Sequence, residues 1–378
     1  MEKLNIRLTG HLTLESPVAI TQPGSGEGRK PTDPQPVPVT TIYDPAAGLV
    51  DTAFIPAPSL RGTLRRAGHD ALNRRLRALG HDALDLRSFY ALRIGGVKSK
   101  GKDGLYKDVS LEQELRSKNP FISLFGAADA GPMTFLAGRL EVDHAIPATP
   151  LDPDRCPAFP GMRTDDLMRS PVSSLEVLPP NGASAWRTMY DATSNTSALK
   201  KRRKLLQSDI AKARAAKDAA VVATLRDALT EIDEALSDAA GSVNMPLAGY
   251  RAIPSGTVLN HGMALTRATL EELGCFFDAL ESLTLEMYVG GHRHHGCGRV
   301  RGQWDVTQTS IGDDGRVVRC TLGSISASES AGLTIHSDAL SAMAERAAIA
   351  WSAAVAGGDF AYHRPSEAAA TVDDADEN

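Results

Sequence analysis

Between Val289 and Val300 the chain reads Gly290, Gly291, His292, Arg293, His294, His295, Gly296, Cys297, Gly298, Arg299. Glycines at this density let the backbone take positive φ and approach a ligand, while arginine and histidine donate to an anion. A phosphate-rich ligand is the first chemistry this spacing suggests, with Gly290, Gly291, His292, Arg293, His294, Gly296, Gly298 and Arg299 in contact. Three other readings stay open. His292, His294 or His295 could act as general acid or base on a ribose 2′-hydroxyl, since imidazole titrates near neutral pH. His292, His294, His295 and Cys297 have zinc-binding side chains, but four ligands within six residues make poor tetrahedral geometry. The plainest reading is a flexible turn with incidental histidines.

A second set of cations lies well upstream of this loop. Residues 59–107 hold twelve Lys or Arg against four Asp, a net of +8, whereas residues 359–378 hold six acids and one arginine, a net of −5. The formal charge of −5 for the whole chain therefore resides in its last twenty residues, and the stretch before them can still attract a polyanion. Within it, Pro58 and Ser59 look like a helix start, and Leu60, Leu64, Ala67 and Ala71 fall on one face as far as about Leu79. Arg61 and Arg65, four apart, share another face near the N-terminus, where cations oppose the helix dipole unless an anion lies against them.

Strands and helices must hold these two sets. Leu4, Ile6, Leu8, Leu12 and Leu14 alternate as in a half-buried strand. Residues 15–50 are rich in Pro and Gly and read as a long loop. Residues 85–131 read as a basic, irregular insertion with a mobile loop at Lys98 to Lys102 and a compact apolar turn from Asn119 to Gly126. A strand is expected from Met133 to Val142. Residues 146–196 are a second Pro- and Gly-rich segment. Ala198 to Ala240 contains neither Pro nor Gly, and Leu206, Ile210, Leu225, Leu229, Ile232 and Leu236 recur at helical spacing, which predicts a helical hairpin with a basic start at Lys200 to Lys204. A strand over Val258 to Leu265, an amphipathic helix from Thr269 to Leu283 with Thr269 as N-cap, and strands over Leu283 to Val289 and Arg299 to Val306 follow. After a Gly312 to Gly315 turn come a strand near Arg316 to Leu322 and a helix from Ser337 to Ala356.

Without its insertions the order is strand, helix, strand, strand, helix, strand. The expected fold class is α+β: a ferredoxin-like, RRM-like palm with large insertions. Its first half spans 1–145, a projecting element 146–196, a helical insertion 197–241 and its second half 242–310. A C-terminal strand and helix (311–356) and a disordered acidic tail (357–378) complete the chain. No apolar run is long enough to span a bilayer and no signal peptide is evident, so a cytoplasmic protein is expected. Cys156, Cys275, Cys297 and Cys320 form no CxxC pair, and no disulfide framework is suggested.

The stretch Ile55-Pro56-Ala57-Pro58-Ser59-Leu60-Arg61-Gly62-Thr63-Leu64-Arg65 resembles the "IPGSSLKGxLR" segment of the RAMP superfamily of CRISPR proteins. Leu124-Phe125-Gly126, Ile253-Pro254-Ser255-Gly256-Thr257 and the glycine-rich loop follow in that superfamily's order. The resemblance covers about residues 3–306 and is nearest to the backbone subunit of type IV complexes. It implies a hand-shaped protein with palm, fingers and thumb, the thumb falling within 146–196, whose copies stack head to tail along a CRISPR guide RNA. Ser59, Arg61, Arg65 and Arg66 would hold the RNA backbone beside the glycine-rich loop. Implied partners are the guide RNA, target DNA or RNA through the guide, further copies, other effector subunits and a helicase, with no membrane, metal or cofactor. In related type III backbones an acid six residues before a "DP" cleaves target RNA. Counting back from Asp44-Pro45 reaches Pro38, which can neither bind a metal nor move a proton. Asp33, five residues earlier, is the alternative acid. The expectation is a non-catalytic subunit, and the competing one is a guide-processing endoribonuclease using a glycine-loop histidine.

Overall fold

The computed structural model describes residues 3–20, 34–81, 84, 86–95, 109–127, 136–159, 199–213, 219–238, 249–357 and 360. They fall into two units, one holding the first 29 residues, 35–159 and 250–378, the other holding 30–34 and 160–249.

The first unit is organised on β1 (Leu4–Leu14), whose alternating leucines and isoleucine are buried on one face. It lies between β8 (Val258–Ala268) and β9 (Val300–Ile311), antiparallel to both. The short strand β4 (Leu140–Val142) pairs with the far edge of β8, which β5 (Ile146–Pro147) also joins, while β6 (Ala158–Phe159) and β7 (Tyr250–Arg251) pair with each other. Across the sheet the order β9-β1-β8-β4 is the 4-1-3-2 arrangement of a ferredoxin-like core. On its β9 edge the sheet continues into β10 (Val317–Ser328) and β11 (Gly332–Ile335). The expected C-terminal strand is therefore part of the palm sheet.

One face of the sheet is covered by α1 (Ala57–Ala78), α7 (Leu270–Thr284) and α8 (Asp338–Ala356). Leu60, Leu64 and Leu72 of α1, Leu273, Phe276 and Leu280 of α7 and Trp351 of α8 join the sheet's Leu8, Trp304 and Val306 in one core. Thr269 caps α7 as expected: its Oγ1 accepts from the Glu272 amide at 3.3 Å, and the Glu272 carboxylate accepts from the Thr269 amide at 2.8 Å. Asp278 of α7 accepts both guanidinium bonds of Arg75 (2.9 and 2.7 Å) and the indole N–H of Trp351 (3.0 Å), joining the three helices at one carboxylate.

Several expectations are corrected. The 15–50 stretch contains a hairpin, β2 (Val39–Asp44) and β3 (Gly48–Ala53), whose β-branched residues pair across a turn held by Asp44; its Oδ1 accepts from the Ala46 and Ala47 amides. Helix α1 starts at Ala57, before Ser59, and no side chain of its own caps it; His144 Nδ1 accepts the Ala57 amide at 2.9 Å. The basic insertion is helical where described: α2 (Leu86–Arg93), α3 (Val109–Lys118) and α4 (Pro120–Phe125). The apolar turn at Asn119 to Gly126 is α4 itself, every residue of it buried. Of the strand expected from Met133 to Val142, residues 136–142 are described, and among them Leu140–Val142 is regular, with Leu136 bridging Ala127. Leu283 to Val289 is not a strand, because α7 runs to Thr284 and only Tyr288 bridges across, to Arg299. Lys98 to Lys102, most of the projecting element (160–198) and the acidic tail beyond Phe360 lie outside the described residues.

The second unit shows the helical hairpin. Helix α5 (199–213) and α6 (Ala219–Asp238) are joined by an Arg203–Asp233 ion pair at 2.7 Å, and Ile210 and Ile232 are buried. Among the described residues no helix is long and apolar enough to cross a membrane.

Candidate nucleic-acid interface

The glycine-rich loop is a compact turn fastened from beneath. His292 (φ 58°) and Gly296 (φ 76°) take left-handed backbone at either end of a short 3₁₀ turn, Arg293–His295. The Gly291 amide donates to Ala19 O and the Gly298 amide to Pro17 O, both at 2.8 Å. A Cβ at Gly290 would stand 2.5 Å from Ala19 O, and one at Gly298 2.6 Å from Val289 O. These two glycines therefore serve close approach of the loop to its own chain.

Between α1 and this loop lies a groove of about 650 Å³ whose lining includes Arg66, Arg74, Arg93, Tyr288, Gly290 and Arg293. The two basic sets, distant in sequence, meet here. Arg66 is exposed and donates to Thr63 Oγ1 (3.1 Å), and Arg74 donates to Ser282 Oγ (2.8 Å). Among the described residues neither guanidinium pairs with a carboxylate, whereas Arg93 bonds Asp70 at 2.5 Å and Arg293 bonds Glu286. Partial burial, then Arg93, holds the Arg66 pKa below its ordinary value, so an anion in the groove would relieve a crowded positive field. Arg293 lies over the Tyr288 ring at 4.7 Å and Arg299 over it at 5.8 Å. Arg299 also bonds the Tyr288 hydroxyl (3.2 Å) and pairs with Glu329 (3.3 Å), and it does not line the groove.

Of the α1 residues singled out by sequence, only Arg66 reaches this groove. Arg65 is 8% exposed, and its guanidinium donates to the carbonyls of Leu92 (2.6 Å), Ala91 (2.6 Å), Gly126 (2.8 Å) and Phe125 (3.2 Å). These are the C-terminal carbonyls of α2 and α4, unpaired within their helices, where a cation is favoured. Arg65 is thus a structural tie, correcting the expectation that it holds phosphate. Burial, then Arg61, lowers its pKa to about 10, which leaves it charged at neutral pH. Arg61 is half-buried on the same side, donating to Phe125 O at 2.8 Å, and burial lowers its pKa. Ser59 is half-buried, and its carbonyl accepts from Thr63 Oγ1 (2.9 Å).

On the other side of the loop His292 stacks on Tyr250, ring centroids 3.7 Å apart and 14° between planes. Tyr250 stacks on Phe159 in turn (5.4 Å, 17°), and its hydroxyl meets His295 Nδ1 (3.4 Å) and Cys297 Sγ (3.5 Å). Burial and the Cys297 contact push the Tyr250 pKa up to about 12. His294 is exposed. Among the described residues no group of three His, Cys, Asp or Glu is placed to hold a metal ion. Arg74, Arg93, Tyr288 and Tyr250 were missed in the sequence. Arg66, Asp70 and Arg74 at four-residue spacing form a legible stripe, whereas nothing local marks Arg93 or Tyr250.

The open face of the sheet is polar. Arg7, Thr9, His11 and Thr13 stand opposite Thr307, Asp305, Gln303 and Arg301, and among the described residues this face offers no Phe, Tyr or Trp on which a base could stack. Pro38 precedes β2, its carbonyl accepting from the Phe54 amide at 3.2 Å, and Asp33 lies outside the described residues.

No family model matches the chain, and no curated protein matches it in sequence. Solved structures similar in backbone include the following three. A chain of a Type IV-B CRISPR complex is 16% identical (82% of this chain, 92% of that chain, TM-score 0.41). Csc2 of Thermofilum pendens is 13% identical (95% and 88%, TM-score 0.33), and Csm3 of Methanopyrus kandleri 12% identical (82% and 78%, TM-score 0.32). The fold assignment rests on the strand order and register of the palm.

Proposed function

We propose that this chain is a non-catalytic RNA-binding subunit of a CRISPR effector complex, which polymerises along a guide RNA and holds its phosphate backbone without reading its sequence. The observation that carries this reading is the convergence of Arg66, Arg74 and Arg93 with Arg293 on one groove, because phosphate contacts give affinity and register without base specificity. A subunit that must accept any guide needs that property. The RAMP-like motifs and the ferredoxin-like palm support the same class. A non-catalytic role is supported by Pro38 at the position of the type III acid and by the engagement of His292 and His295 with Tyr250.

The test is full-length protein expressed with and without guide RNA, followed by the salt dependence of binding. Guide-loaded protein is expected as a large ribonucleoprotein carrying RNA of uniform length. Arg66→Ala with Arg74→Ala is expected to lower the slope of log K against log salt by about 1.4, the release expected for two single-strand phosphate contacts. An unchanged slope removes the groove from the RNA path.

A further inference from the structure

Two adjacent residues of the glycine-rich loop each lie against a different tyrosine. Arg293 lies over Tyr288 and lines the groove, while His292 stacks on Tyr250 outside the groove's lining. Tyr250 is buried, and His292 is exposed although one side of its ring rests on Tyr250. Its backbone is left-handed, at φ 58° and ψ 31°, a conformation that side-chain-bearing residues rarely take and that tends to persist where function requires it. The result is an imidazole supported from behind by an aromatic pair.

We propose that the exposed His292 ring is a stacking platform for one nucleobase of the bound strand, while the phosphates on either side run along the Arg66–Arg293 groove. This rests on the RNA-binding reading and adds a base contact to it. Every base has a π-face, so stacking grips a base without choosing among sequences and suits a subunit that accepts any guide. Burial, then His295, lowers the His292 pKa, so the ring is neutral at pH 7 and would meet the base as an uncharged stacking surface.

The experiment compares full-length wild type and His292→Asn for binding to single-stranded RNA and to the same strand with abasic sites. Asparagine removes the ring and tolerates left-handed backbone, and the exposed position allows the variant to fold. Wild type is expected to bind the base-bearing strand at least about fivefold more tightly than the abasic strand, with 2-aminopurine fluorescence quenched at the stacked position. His292→Asn is expected to lose that preference and the quenching, with its salt slope unchanged. If His292→Asn keeps both while Arg66→Ala with Arg74→Ala lowers the slope, the platform is overturned and the groove reading stands. If neither variant alters RNA binding, both readings fall.

Discussion

The palm and the glycine-loop groove use the same two residue types for opposite ends. Arg65 and His261 lie in the palm interior, 8% and 7% exposed, whereas Arg66 and His292 are exposed at the groove and its rim. Inside, a polar group must meet all of its demands within the fold, since a missing partner is costly. Arg65 does so with four carbonyls, and His261 does so in part: Nδ1 accepts from Trp304 Nε1 at 3.1 Å while Nε2 has no partner. At the surface the same groups keep donors or a ring face to spare. Side-chain chemistry is thus equal in the two places, and the difference between the buried arginine and the groove-facing one is which way each side chain leaves the same turn of α1.

The largest effect expected from breaking this contrast is at Arg65. Arg65→Ala leaves the carbonyls of Ala91, Leu92 and Gly126 short of a donor and Phe125 O with Arg61 alone, and the expected loss is about 3–5 kcal/mol of stability in denaturant unfolding. Arg66→Ala should change stability by less than about 0.5 kcal/mol. Equal stabilities for the two variants would erase the distinction.

The histidines sharpen it by pH. Burial lowers the His261 pKa to about 4, and the Trp304 bond to Nδ1 puts the proton of the neutral ring on Nε2. Between about pH 6.5 and 4 the unfolded chain takes up a proton that the folded chain refuses, so stability is present above this window and falls as pH drops through it. The contribution at stake is roughly 3 kcal/mol, since each tenfold loss of proton affinity on folding corresponds to about 1.36 kcal/mol. Unfolding free energy measured from pH 7 to pH 4 is expected to flatten in His261→Asn, whose side-chain oxygen can still accept from Trp304. An acid limb identical to that of wild type would assign it to other groups.

The same contrast accounts for what could be read in the sequence. The alternation of Leu4 to Leu14 and the helical spacing of Leu60, Leu64 and Ala71 reflect burial against a single core, so the palm's order of elements was legible. Hairpin β2–β3 was hidden because Pro36, Pro38 and Pro45 flank short β-branched runs that alternate only against each other. Leu283 to Val289 reads as a strand because a short apolar run fits either period, but its first two residues end α7 and the rest holds only the Tyr288 bridge. The site was half legible. Arg66 and two residues of the loop, Gly290 and Arg293, line one groove, whereas Arg65 resembles them in sequence because the partners that claim it, on α2 and α4, lie 26 to 61 residues away. No local pattern encodes such a contact.

Arg61 is the finest test of the division, because it is neither fully inside nor outside. Its Nη2 donates to Phe125 O at 2.8 Å, Nε is buried without a partner, and a Cβ at Gly138 would stand 2.5 Å from that same Nη2. Arg61→Met keeps the aliphatic stem, removes the orphaned donor together with the satisfied one, and should cost about 1 kcal/mol or less. If Arg61 belongs with Arg65, the salt slope of RNA binding stays at the wild-type value. A slope lower by about 0.7 would mean that it meets one phosphate, and the boundary between structural and RNA-facing arginines on α1 would shift by one turn.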